Sequence, residues 1–172
     1  MARVSAVTDL IETVRDADIL LFIVPHQFIH KICSDMKGHV KPSAMGVTLI
    51  KGVSSDDSGE IRLISEEISE MLGLPMSALM GANLAREVAH GNFCESTLGC
   101  TEPRWGAILR SLFHTPNFRV NLVRDSHTVE LCGALKNLED LEKELLNGQR
   151  LQGPHTAAQV YRMLEKRNML KE

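Results

Sequence analysis

The sequence predicts an α/β protein built on a parallel, doubly wound sheet, with helices gathered at its C-terminal end. Three observations carry this prediction. Strand-length apolar runs alternate with stretches of helical periodicity from Thr8 to Val123. The run Ile19–Val24 is apolar without a break, as in a strand covered on both faces. Aromatic residues are only 4% of the chain, so the core rests on Leu, Ile, Val, Ala and Met, which disfavours an all-β sandwich.

Each element follows from its residues. Thr8 to Asp16 reads as a helix, with Leu10, Ile11 and Val14 on one face. Ile19–Val24 is a strand that Pro25 ends. Phe28 to Met36 is a short helix, and Gly46–Ile50 is the next strand, stopped by Lys51-Gly52. A polar loop follows at Ser54–Gly59. Glu60 to Leu72 then reads as one helix, with Ile61, Ile64, Ile68 and Met71 at helical spacing and Gly73 closing it. Ser77–Met80 is a strand, Asn83 to Ala89 starts a helix, and Phe93–Leu98 is a strand. Pro103 opens a helix to His114, because proline is tolerated in a first turn. Phe118–Val123 alternates as a strand does. His127 to Asn137, Leu138 to Leu146 and Thr156 to Asn168 are helical. Leu131, Leu135, Leu138, Leu141 and Leu145 form one amphipathic stripe with no Gly or Pro across Asn137-Leu138. The stripe predicts one continuous helix from about His127 to Leu146.

Composition bounds the function. The chain has 172 residues, 44% apolar and 24% charged, which fits a folded globular protein and not a disordered one. A net charge of -3 without a basic stripe argues against nucleic-acid or acidic-membrane partners. No apolar run approaches membrane-spanning length, and no signal-peptide core follows Arg3. Cys33, Cys94, Cys100 and Cys132 form no C-x-x-C pair and no zinc module, so they read as buried, reduced thiols of a cytoplasmic protein.

Doubly wound sheets bind ligands at the carboxyl ends of their strands. Pro25–Phe28, Lys51-Gly52 and Gly81–Asn83 fall at such ends. Lys51 can present its ammonium to a phosphate or carbonyl, or stand as a solvated strand-end lysine. Lys136, in Leu131–Asn137, can be desolvated for acid/base work, or snorkel from a helix end. Asn137 can donate to a substrate oxygen or cap the helix. Asn83 can face an anion at a helix start, or simply cap that helix. His26 and His30 sit four apart, but no third ligand accompanies them, so no metal site is expected. Trp105 and Tyr161 read as packing residues. Neither G-x-G-x-x-G nor a P-loop occurs. These residues alone predict a domain that takes a small anion.

Six segments go further. Val24–Phe28, Leu49–Gly52, Leu79–Asn83, Thr115–Arg119, Val129–Asn137 (VELCGALKN) and Leu145–Pro154 (LLNGQRLQGP) occur in the order found in the cytosolic NAD-dependent glycerol-3-phosphate dehydrogenases of animals. The chain closely resembles that family, and equally its glycerol-3-phosphate dehydrogenase 1-like members, over nearly its whole length. The resemblance implies NADH-dependent, reversible reduction of dihydroxyacetone phosphate to glycerol 3-phosphate by a homodimer. It implies that Lys136 is the catalytic lysine, that Lys51 binds substrate and polarises its carbonyl, and that Asn137 holds substrate near its phosphate. Phe28, Asn83, Ala85, Gln149 and Gln152 are implied to contact NAD, the two glutamines from a loop reaching over it. It also implies that residues 1–125 are part of a Rossmann-like NAD-binding domain and 126–172 a helical remnant of an all-helical substrate domain.

Two departures from the family pattern set up a rival expectation. The chain starts after the strand that carries the family's glycine-rich turn. Asn137 also runs straight into Leu138, where the family places a long helical segment. Reduced turnover is expected. The alternative is a catalytically inactive truncated form, or an incomplete gene model, acting at most as a weak interaction partner.

Overall fold

The computed structural model describes residues 4–55, 61–81 and 84–145, with the side chains of Ser55, Ile61 and 136–145 outside that description. Helix α1, Leu10–Arg15, starts where the Asp9 carboxylate accepts from the Glu12 N–H at 2.8 Å. Strand β1 is Ile19–Phe22. A 3₁₀ turn at His26–Phe28 leads into α2, Ile29–Met36, and then into β2, Met45–Thr48.

The expected helix from Glu60 to Leu72 needs correction. Ile61–Leu63 form a strand, β4, antiparallel to β3 at Val53–Ser55, and only Ile64–Leu72 is helical, as α3. Ile61 and Ile64 satisfied the helical spacing, but Ile61-Arg62-Leu63 also alternates, and pairing with β3 decided the outcome. Gly73 ends α3 in the left-handed region at φ 68°, where only glycine avoids strain.

Strand β5, Met76–Gly81, helix α4, Ala85–Ala89, and strand β6, Cys94–Gly99, follow. Asn83 was expected to head α4; the cap position belongs to Leu84, and Asn83 itself lies outside the described residues. Helix α5, Pro103–Phe113, carries proline in its first turn, and β7 is Phe118–Val123. Helix α6 runs unbroken over Ser126–Leu145, through the Asn137-Leu138 junction, as the leucine stripe predicts. Residues 156–168 lie outside the described residues.

The main sheet has the order β1-β2-β5-β6-β7. Three neighbouring pairs are parallel and one, β5–β6, is antiparallel. The uniformly parallel expectation is therefore corrected at one place. A parallel return needs a helix crossing a sheet face. Helix α4 is short and buries none of its residues, so β6 simply turns back beside β5.

Helices lie on both faces, as in a doubly wound sheet. On one face Val14, Leu20, Phe22, Ile29, Ile64 and Ile68 form a common core. Ala78 and Met80 extend that face and pack on Val129 of α6. On the other face Met45, Val47, Leu79, Leu98 and Val120 pack on Leu109 of α5, with Trp105 partly buried beside them.

Three cysteines are buried, but Cys132 is exposed, which corrects the expectation for that residue. Burial, with the nearby Glu67 charge, pushes the Cys33 thiol up to about 11. Cys33 is therefore a packing residue and not a nucleophile. His30 Nδ1 stands 3.4 Å from a Glu67 carboxylate oxygen. No described helix is long and apolar enough to cross a membrane.

Candidate functional site at the carboxyl edge of the sheet

Register places the site. Phe22, Thr48 and Ala78 are direct neighbours across β1, β2 and β5. The three strands run the same way, so their chains leave the sheet at one edge. Each expected landmark lies just beyond: Pro25–Phe28 after β1, Lys51-Gly52 after β2, and Gly81 at the end of β5. The first two loops touch, since a methyl group added at Gly52 would stand 3.5 Å from His26 Nδ1. Phe28 is 49% exposed, and Lys51 is half-buried. Ala85 is the exposed first residue of α4, shortly after β5.

Helix α6 approaches this edge from below. Its start is held three residues back from Gly81 along β5, where Gly99 pairs with Ala78 and meets Asp125 and Ser126. The Asp125 carboxylate accepts from the Thr128 N–H at 2.9 Å. Bonding to Thr128 holds this carboxyl below its usual range, as for a good helix cap. The helix then rises along β5. Val129 packs on Ala78 and Met80, and Gly133 abuts Met80 so closely that a methyl there would lie 2.6 Å from its sulfur. Positions 136 and 137 come one turn further on, about 5 Å higher. Their backbone is helical; their side chains lie outside the described residues.

A cleft of about 310 Å³ opens where α6 passes the end of β5. Met80, Gly81 and Thr97 line it from the sheet, and Thr128, Cys132 and Gly133 from the helix. Val129 and Cys132 sit seven and four residues before 136, so position 136 continues the helical row that lines the cleft. The walls are mostly apolar, which suits a ring more than a free phosphate.

The structure thus brings Phe28, Lys51 and Ala85 to one sheet edge and directs the helix of Lys136 and Asn137 toward it. Asn83, Gln149 and Gln152 lie outside the described residues. Sequence reasoning missed Glu130. Its side chain is fully buried, and one carboxylate oxygen accepts from the Ser65 N–H at 3.0 Å while the other has no partner. Burial pushes this carboxyl up to about 7, opposed by the Ser65 hydrogen bonds and reinforced by Glu66. A glutamate in a helix usually reads as solvated. The available signal was its place between Val129 and Gly133 on a face of small and apolar residues.

Comparison with known proteins gives this arrangement a family. Residues 1–106 match the family model described as NAD-dependent glycerol-3-phosphate dehydrogenase N-terminus. The human cytoplasmic NAD(+) glycerol-3-phosphate dehydrogenase is 38% identical over 246 residues, covering 98% of this chain and 70% of the relative. That match is longer than the 172-residue chain, so a stretch of the human protein has no counterpart here. The Pongo abelii protein of the same name is 51% identical over 161 residues, 94% of this chain and 46% of the relative. Among solved structures, glycerol-3-phosphate dehydrogenase from Saccharomyces cerevisiae superposes with a TM-score of 0.70 at 39% identity, covering 77% of this chain and 40% of that one. The Dunaliella salina enzyme gives 0.75 at 27% identity, covering 94% and 42%. The chain spans about half the length of most of these relatives. With the sheet, the cleft and these matches together, the chain belongs to the NAD-dependent glycerol-3-phosphate dehydrogenase family.

Proposed function

We propose that this chain serves the NADH-dependent, reversible reduction of dihydroxyacetone phosphate to glycerol 3-phosphate, at the carboxyl edge of β1, β2 and β5. The observation that carries this reading is the convergence there of Phe28, Lys51 and the helix bearing Lys136 and Asn137. The residues present suit the nicotinamide end of the cofactor. Phe28 offers a half-exposed aromatic ring, and the cleft at the end of β5 is mostly apolar. Asn83, Ala85, Gln149 and Gln152 complete the proposed cofactor contacts. When bound, NADH supplies the hydride for the carbonyl carbon. Lys51 polarises the carbonyl, Lys136 gives its proton to the carbonyl oxygen, and Asn137 holds the phosphate-bearing end. Two cations near one oxygen lower the energy of the negative charge that develops on it.

In this reading residues 1–125 are part of the NAD-binding domain, and 126–172 are a helical remnant of the substrate domain. The protein works in the cytoplasm, the location printed in its relatives' names. It takes a small phosphorylated substrate, needs no metal or nucleic acid, and pairs with a second copy.

The test is loss of NADH absorbance on adding dihydroxyacetone phosphate. Lys136→Ala is expected to lower kcat by about 10²- to 10⁴-fold, the usual weight of a positioned proton donor. A second reading has its own support: part of the human relative has no counterpart here. A catalytically silent family member would bind NADH and show no turnover even in the unaltered chain. Absence of both NADH binding and turnover would overturn the first reading.

A further inference from the structure

The first turn of α3 lacks a side-chain cap of its own. Its cap position is Leu63, which has no acceptor, and the Glu66 side chain turns back to accept from the Leu63 N–H at 3.3 Å. The Ser65 N–H is instead met by Glu130, sixty-five residues later in the chain and on another helix. Free N–H groups at a helix start favour an anion, and a buried one left unpaired is destabilising. Glu130 therefore completes α3 from α6. It also fixes α6 in rotation and height, because a hydrogen bond from one side chain to one amide tolerates little displacement.

Gly133 and Ala134 lie three and four residues after Glu130, and Asn137 lies three after Ala134, so they share a helical face. Glu130, Gly133 and Ala134 are all buried. Gly133 brings that face against Met80, and the next turn along it is 136–137. A carboxylate pinned about two turns below therefore sets where that turn stands above the sheet edge.

We propose that Glu130 is a positioning residue, a long-range cap on α3 that seats α6 and thereby the Lys136-Asn137 turn at the carboxyl edge of the sheet. The proposal rests on the reading that this turn serves the substrate. Its primary readout, amide hydrogen exchange on the intact chain, needs no turnover. Glu130→Asp keeps the charge but withdraws the carboxylate by one methylene. It is expected to speed exchange at Ser65 and residues 133–137 at least tenfold, with β6 and β7 unchanged. Glu130→Gln keeps an acceptor at full reach and is expected to restore protection within about threefold. Dihydroxyacetone phosphate binding should follow the same order, weaker in Glu130→Asp and recovered in Glu130→Gln. Unaltered exchange at 133–137 in Glu130→Asp would overturn the proposal. So would faster exchange spread evenly over the whole sheet in both variants. If Lys136→Ala leaves binding and turnover untouched while the exchange pattern holds, the catalytic reading fails and the seating of α6 stands.

Discussion

Helices α3 and α4 begin alike and live differently. Each has leucine at its cap position and a glutamate three residues later that accepts from the leucine N–H, at 3.3 Å for Glu66 and 3.2 Å for Glu87. Each is followed by a glycine with positive φ, Gly73 and Gly91. Yet α3 buries Ile64, Ser65 and Ile68 and receives Glu130, whereas α4 buries nothing. Local signals of equal quality open both helices. Only tertiary burial makes one of them part of the cooperative core, because propensity alone scarcely sustains so short a helix.

The sharpest way to break the comparison is to hollow both helices. Ile68→Ala, in the fully buried face of α3, is expected to cost about 3 kcal/mol in urea denaturation. Val88→Ala in α4, at an exposed site, should stay within about 0.5 kcal/mol. Equal effects would mean that α4 is part of the same core.

Acidity should separate them almost as strongly. The Glu130 carboxyl rises from an ordinary value of 4.5 to about 7 in the folded protein. The folded state thus holds this proton more tightly than the unfolded state does. Its stabilising contribution is complete below about pH 4.5 and is lost as pH rises through about 7. The difference is about 3 kcal/mol for this group. Denaturation midpoints measured from pH 5 to pH 8 should fall in the unaltered chain relative to Glu130→Gln. Parallel pH profiles for the two would contradict the burial of a titrating carboxyl there. Substitutions in α4 should leave this slope alone.

The smallest contrast concerns the two helix ends. Gly73→Ala forces a side chain into the left-handed region and should lower global stability by about 1 kcal/mol. Gly91→Ala introduces similar local strain, but it should fray α4 and leave the main unfolding transition nearly in place. Residue-resolved amide exchange distinguishes the two outcomes.

Much of the fold was legible because its signals are local. The unbroken apolar run at β1, Pro103 in the first turn of α5, Gly73 after α3 and the leucine stripe across Asn137-Leu138 each act within a few residues. The start of α3 was not, since Ile61 fits both a helical spacing with Ile64 and an alternation with Leu63 until β3 lies alongside. The antiparallel turn between β5 and β6 was not either, because it depends on α4 failing to cover a face. For the candidate site, the strand ends marked Phe28, Lys51 and Gly81. The roles of Lys136 and Asn137 came from resemblance, as their surroundings resemble an ordinary helix end. Glu130 escaped notice because its meaning lies in an amide sixty-five residues away.

The two close approaches of α6 carry a mechanical consequence. Gly99 lets the helix start flush against the sheet, and Gly133 keeps it flush beside Met80. Together they act as pivot and stop. A single methyl at Gly133 would work as a wedge, and the angular error would grow along the remaining length of the helix. A small insult there would therefore arrive magnified at residues 136–137, without any change to the loops on the other side of the cleft.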